Sequence, residues 1–208
     1  MEEMETAKLI ATILNEGSTY SDYFSEFQRY AEETDPESLD ETARNQWDFI
    51  RLNLQRSIRV SKTYTPSDEL REAVLQIDEP QIWMVLSENW CGDSAQILPQ
   101  IAKIAELSEH IDLRILARDS HSDIMDEYLT KGKRSIPKLV AFTENGKELF
   151  QWGPRPAEAV DIFAAGLAAG EPKNAILAKL HGWYARNRGK AIEEEFIKAL
   201  QKLAALSV

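Results

Sequence analysis

Cys91 is the only cysteine in the 208-residue chain, and it lies within Trp90-Cys91-Gly92-Asp93-Ser94. A thiol becomes a nucleophile or a metal ligand as its thiolate, so its surroundings decide what it can do. Before it runs Ile82-Trp83-Met84-Val85-Leu86, an apolar stretch of strand length. After it, Ile97, Ile101, Ile104 and Ala105 recur at helical spacing. The sulfur thus stands where a strand passes into a helix. Free N–H groups and the positive end of the helix dipole there favour the thiolate. Ser94, one helical turn on, can donate a hydrogen bond to it, whereas Asp93 places negative charge beside it and opposes ionisation. A single thiolate can attack a disulfide and form a mixed disulfide. With no other cysteine in the chain, an outside thiol must resolve that adduct.

The remaining residue groups offer less chemistry. His110, His121 and His181 are scattered without ligand spacing, so they read as surface or helix-end residues and no metal site is expected. Ser120-His121-Ser122-Asp123 is contiguous before a helix, where Ser122 or Asp123 serves as a cap. The formal net charge of −11 argues against non-specific binding to nucleic acid or anionic membrane. Segment 1–80 holds most of that excess, 18 acids against 8 bases, as solvated helix faces. One cysteine excludes an internal disulfide, and no run approaches the roughly 18 apolar residues of a membrane span. The start, MEEMETAKLIATILNEG, lacks the basic and apolar regions of a signal peptide, so a cytoplasmic location is expected.

The elements that must position Cys91 follow from periodicity. Residues 1–62 read as helices only. Thr19 caps a helix carrying Tyr20, Phe24, Phe27 and Ala31, and a longer helix carries Trp47, Ile50, Leu54 and Ile58 on one stripe. Thr65-Pro66 predicts a helix start, with the helix running to about Gln76. The helix after Cys91 contains Pro99, which is expected to kink it. Ile111–Ala117 reads as a strand parallel to the first, and a short helix follows over Ser122–Leu129. Strands over Lys138–Phe142 and Lys147–Trp152 flank Asn145-Gly146, a strong hairpin signal. An apolar helix over Ala157–Ala169 follows Gly153-Pro154-Arg155-Pro156. Two further amphipathic helices carry Ile176, Leu180 and Trp183, then Ile192, Phe196, Leu200 and Leu203. The expected class is α/β: a mixed central sheet with helices on both faces, plus N- and C-terminal helical extensions.

These residues resemble the thioredoxin family. Trp90-Cys91-Gly92 at a strand-to-helix junction is similar to its active-site motif. Arg134-Ser135-Ile136-Pro137 resembles its cis-proline loop, Asn145-Gly146 falls in its final hairpin, and Gly153 falls where it has a glycine after the last strand. The resemblance covers about residues 64–169, which divides the chain into 1–63, 64–169 and 170–208. Within the family it resembles a group of uncharacterised bacterial proteins with helical extensions at both ends. It implies a thioredoxin-like fold and a cis Ile136–Pro137 bond that brings the Ile136 backbone beside Cys91 to pair with an extended substrate. On that reading Cys91 and Ser94 form the reactive pair. Trp90, Gly92, Asp93, Ile136, Pro137, Trp152, Gly153 and Arg155 form the substrate-binding rim, although packing explains the two tryptophans equally well. Three departures stand out: Ser94 replaces the family's second cysteine, Val85 its buried acid, and Asp93 the proline of its motif.

Two functions remain open. One is a monothiol thiol–disulfide oxidoreductase serving redox homeostasis without a cofactor, partnered by a protein or a low-molecular-weight thiol such as glutathione. The other is a redox-inactive module that binds peptides or proteins through the cis-proline groove. Cys-Gly-x-Ser also resembles the cluster-binding motif of monothiol glutaredoxins, but Trp-Cys at its start and the lack of a late Gly-Gly pair argue against that.

Overall fold

The structure is a computed structural model and describes residues 2–206. Three helices come first: α1 (Glu2–Glu16), α2 (Tyr20–Glu33) and α3 (Glu41–Thr63), with a 3₁₀ turn at Pro36–Ser38. Then come α4 (Asp68–Val74), β1 (Gln81–Ser87), α5 (Ser94–Ala105), β2 (Ile111–Ala117), α6 (Ser122–Glu127), β3 (Lys138–Thr143) and β4 (Glu148–Trp152). Helices α7 (Ala157–Ala168), α8 (Lys173–Asn187) and α9 (Lys190–Leu206) complete the described chain. No helix among the described residues is long and apolar enough to cross a membrane.

The four strands lie in the order β2-β1-β3-β4. β1 runs parallel to β2, with Val85 opposite Ile115, and antiparallel to β3, with Val85 opposite Leu139. β3 and β4 form the expected hairpin, where Thr143 N–H donates to the Lys147 carbonyl and Gly146 takes φ +82°. β1 is buried from Ile82 through Ser87, so its apolar run serves both faces of the sheet. Ile82, Met84 and Leu86 share one core with Ile13 of α1, Ile124 and Met125 of α6, and Cys91. Trp83 and Val85 share the other with α4, α5 and the last two helices. Phe196 of α9 packs on Trp83, Phe150 and Trp152 with ring centroids 5.6–6.3 Å apart. The C-terminal helices therefore belong to the main core. At the free side of β2, Ser18 and Ile115 exchange both backbone hydrogen bonds at 2.9 Å.

Local chemistry explains where the sequence expectations succeed and where they shift. Thr19 does cap α2: its hydroxyl accepts from Asp22 N–H at 3.1 Å. Thr65 does not cap α4. Ser67 does, accepting from Leu70 N–H at 3.3 Å, because Asp68 and Glu69 then fall in the first turn, where the helix dipole favours acids. The helix ends at Val74 rather than Gln76. α6 also stops two residues early, where Tyr128 N–H turns back to the Met125 carbonyl.

α5 runs through Pro99 without a break. A proline there leaves the carbonyl four residues earlier, that of Ala95, without its helical donor. Ser57 of α3, 3% exposed, donates its hydroxyl to that oxygen at 3.2 Å. α3 also holds α5 and its approach loop through Asn53 Nδ2 to the Asn89 carbonyl (3.0 Å), and through Arg59 Nη2 to Gln96 Oε1 (2.7 Å). The stripe of Ile50 and Leu54 on α3 packs instead with Phe27 and Ala31 of α2.

Candidate functional site

Cys91 is 9% exposed, in the turn between β1 and α5. Its thiol donates to the Ile136 carbonyl at 3.4 Å, and Ser94 N–H donates to its sulfur at 3.5 Å. The helix terminus thus meets the sulfur as the sequence predicts. The thiolate is nevertheless disfavoured. Burial, then the Asp93 charge, push the thiol pKa up, against the opposing pull of the Ser94 hydroxyl and the Ser94 and Asp93 backbone N–H groups. The helix N-terminus loses this competition. The Ser94 hydroxyl is buried and makes no hydrogen bond to a nitrogen or oxygen, which leaves it available to the sulfur.

The second loop lies at the same end of the sheet, because antiparallel pairing sets Lys138, at the start of β3, opposite Leu86, near the end of β1. The Ile136–Pro137 bond is cis, as is Gly153–Pro154, and the Ile136 side chain is buried. Gly153 (φ +113°) lies against Pro137 so closely that a Cβ there would sit 2.3 Å from the Pro137 carbonyl oxygen. No other residue type fits both that backbone and that contact.

Asp93 sits at the α5 N-cap position but makes no side-chain cap. Its carboxylate instead faces the loop after β4 and α8. Arg155 reaches it at 2.6 Å, and the buried Tyr184 hydroxyl donates to it at 2.9 Å. Burial and the neighbouring Asp93 charge push the Tyr184 pKa well up, which keeps its proton in this bond. Arg155 also lies over the Phe163 ring, 4.3 Å from its centroid. Trp90 packs beside the site and carries the Arg118 guanidinium 4.7 Å over its ring.

Most of the residues singled out in the sequence converge: Trp90, Cys91, Gly92, Asp93, Ser94, Ile136, Pro137, Gly153 and Arg155. Trp152 does not belong at a rim. It is 8% exposed in the main core, with its indole N–H held by Glu195 Oε2 at 2.6 Å. His181 is a correction in the opposite direction. It comes from α8 to stand over Gly92, where an added Cβ would lie 3.1 Å from its Cε1, and Gln96 Nε2 lies 3.3 Å from its Nδ1. Burial, reinforced by the nearby Arg56 charge, drives its pKa down to about 4, so the ring is neutral at pH 7. Arg56 of α3 reaches the same place, its Nη1 3.5 Å from that Cβ position. Neither His181 nor Arg56 carries a sequence signal, because each is brought to the motif by packing of a remote helix. Among the described residues, no group of three or more His, Cys, Asp or Glu side chains could hold a metal ion.

A mixed sheet with one thiol at a strand-to-helix junction, facing a cis-proline loop, defines a thioredoxin-like protein. The chain belongs to the thioredoxin family, whose model matches residues 40–169 and so takes in α3 as well as the sheet. No curated protein matches it. Among solved structures it is similar to a protein of unknown function from Pseudomonas aeruginosa, at 17% identity and a TM-score of 0.48. It is likewise similar to an HIV epitope-scaffold, at 17% identity and a TM-score of 0.49. Each match covers 90% of this chain and 96% of the other.

Proposed function

We propose that the protein is a monothiol thiol–disulfide exchanger. The Cys91 thiolate attacks one sulfur of an external disulfide, a new S–S bond forms, and the leaving thiolate takes a proton from solvent. A second, external low-molecular-weight thiol then displaces Cys91 and regenerates it, so the protein undergoes no net oxidation. The observation that carries this reading is the seat of the sulfur. Cys91 Sγ lies between the Ser94 N–H and the Ile136 carbonyl, so a disulfide approaching the loop backbone comes into line with it. Among the described residues no base stands ready for the thiol proton. His181 is turned to Gln96 and ionises near pH 4, and the Asp93 carboxylate is engaged by Arg155 and Tyr184. Exchange is therefore slow at neutral pH and accelerates as pH rises toward the elevated thiol pKa.

That elevated pKa also favours a second reading, a peptide-binding module without redox turnover. The rate of Cys91 alkylation against pH, with reduction of a glutathionylated peptide by added thiol, separates the two. Exchange predicts peptide turnover that follows the alkylation profile. Absence of turnover across the whole profile removes it and leaves the binding module.

A further inference from the structure

We infer that Arg56 and His181 form an anion-recognising subsite over Gly92, which selects low-molecular-weight thiols and disulfides carrying a carboxylate. The inference rests on the exchange reading above and adds the substrate class to it.

The argument starts from hydrogen-bond inventory. Arg59 can only donate, and it donates to Gln96 Oε1, so the Gln96 amide presents its NH₂ to His181 Nδ1. Nδ1 is therefore the acceptor, and the neutral ring carries its proton on Nε2. Nε2 lies on the ring edge turned to Gly92, 3.2 Å from the position of an added Cβ and beside Cε1 at 3.1 Å. Arg56 arrives from the opposite helix. Its Nη1 donates to Asn53 Oδ1 at 2.8 Å, and among the described residues no other N–H of the guanidinium has a hydrogen-bonded protein acceptor. One face of the motif is thus lined by donors alone. Its acidic neighbour, Asp93, turns its carboxylate to Arg155 and Tyr184 instead.

Charge points the same way. Arg56 is half-buried, and among the described residues no carboxylate forms an ion pair with it or with Arg59, the nearest acidic influence being Asp93, which Arg155 already holds. Taking a cation partly out of water without a counter-charge is costly, and burial with the neighbouring Arg59 accordingly depresses the Arg56 pKa. These cations stand out in a chain of net charge −11. A planar guanidinium beside a ring N–H matches the two oxygens of a carboxylate. The site favours a small ligand, because Arg56 of α3 and His181 of α8 both close on Gly92, and Cys91 beside it is only 9% exposed.

The test compares mixed-disulfide formation at Cys91, read by intact mass, with three small disulfides of similar size: dithiodiglycolate (anionic), bis(2-hydroxyethyl) disulfide (neutral) and cystamine (cationic). At low ionic strength the anionic reagent is expected to react about tenfold faster than the cationic one, and added salt should erode the ratio. Arg56→Gln should bring the ratio toward one, while Arg56→Lys should keep most of it. Charge-blind rates in the wild-type protein, or an equal loss for all three reagents in Arg56→Gln, would overturn the subsite while leaving exchange intact. A thiol-free probe, the thioether carboxylate (methylsulfanyl)acetate, separates the two ideas from the other side. Its titration should move the His181 imidazole NMR signals in wild type and not in Arg56→Gln. If none of the disulfides modifies Cys91 yet this shift occurs, the exchange reading fails and the anion subsite stands. If the shift is absent, the subsite fails.

Discussion

The Tyr184 hydroxyl donates a 2.9 Å hydrogen bond to Asp93, joining the C-terminal helix pair to the motif 91 residues earlier. Arg155 closes on the same carboxylate. The aspartate that departs from the family motif is therefore the point where the β4–α7 loop and α8 are fastened to the thiol site. Its charge is retained beside Cys91 at a chemical cost, since it raises the pKa of the thiol.

That cost can be measured. Asp93→Asn removes the negative charge and leaves the Arg155 cation nearby, so the Cys91 pKa should fall and iodoacetamide alkylation at pH 7 should quicken. The same change strips Arg155 of its partner, and denaturant unfolding should show a loss of about 3 kcal/mol, the low end for a pair that keeps some contact with water. A variant that gains reactivity without losing stability would contradict this account of Asp93.

Ser57→Ala leaves the Ala95 carbonyl of α5 with no donor, because Pro99 cannot supply one. The expected loss is about 1–2 kcal/mol. Pro99→Ala should restore the backbone donor, so the Ser57→Ala, Pro99→Ala double variant should lose less than Ser57→Ala alone. Additive losses in that urea-denaturation cycle would refute the repair.

His181 makes stability depend on acid. Its pKa is about 4 in the folded protein against an ordinary 6.5, so between those values the unfolded chain binds more protons. Stability contributed by this residue is present above pH 6.5 and drains away as pH falls toward 4. Discounting for its partial exposure, the effect is on the order of 2 kcal/mol. His181→Gln should flatten the stability profile between pH 6.5 and 4, as read by urea midpoints.

Ser94→Cys places a second sulfur one turn from the first, where Ser94 N–H already lies 3.5 Å from Cys91 Sγ. Mild oxidation should close an internal disulfide, seen as a mass loss of about 2 Da, and the variant should no longer need an outside thiol to release a mixed disulfide. Persistence of the external adduct would show that α5 does not present the two positions to each other.

The frame of this molecule is readable in the chain because its signals are local. The apolar run of β1, the Thr19 cap and the Asn145-Gly146 turn each act within a few residues. The strand Ile111–Ala117 emerges with the limits its alternation suggests. Much of the site is legible for the same reason, since Cys91, Gly92, Asp93 and Ser94 are contiguous. The illegible part is what remote helices bring. Asn53 and Ser57 are polar residues on a helix whose visible stripe is Ile50 and Leu54, and their partners are backbone carbonyls, which no residue type announces. His181 and Tyr184 look like ordinary members of an amphipathic helix until α8 lies across the motif. Trp152 misleads in the opposite sense. Its position in the family-like order suggests a rim, but Phe196 and Glu195 of α9 enclose it.

The pairing of Ser18 with Ile115 has a consequence for how the protein behaves in a crowd. β2 is the outer strand of the sheet, and its unpaired amides are a template for a strand from another molecule. The α1–α2 junction occupies that template with two hydrogen bonds. A Ser18→Pro variant, which keeps α1 in the core but cannot donate to Ile115, should keep its thiol chemistry yet self-associate in a concentration-dependent way, through strands rather than through sulfur. Light scattering that persists in excess reductant would reveal it.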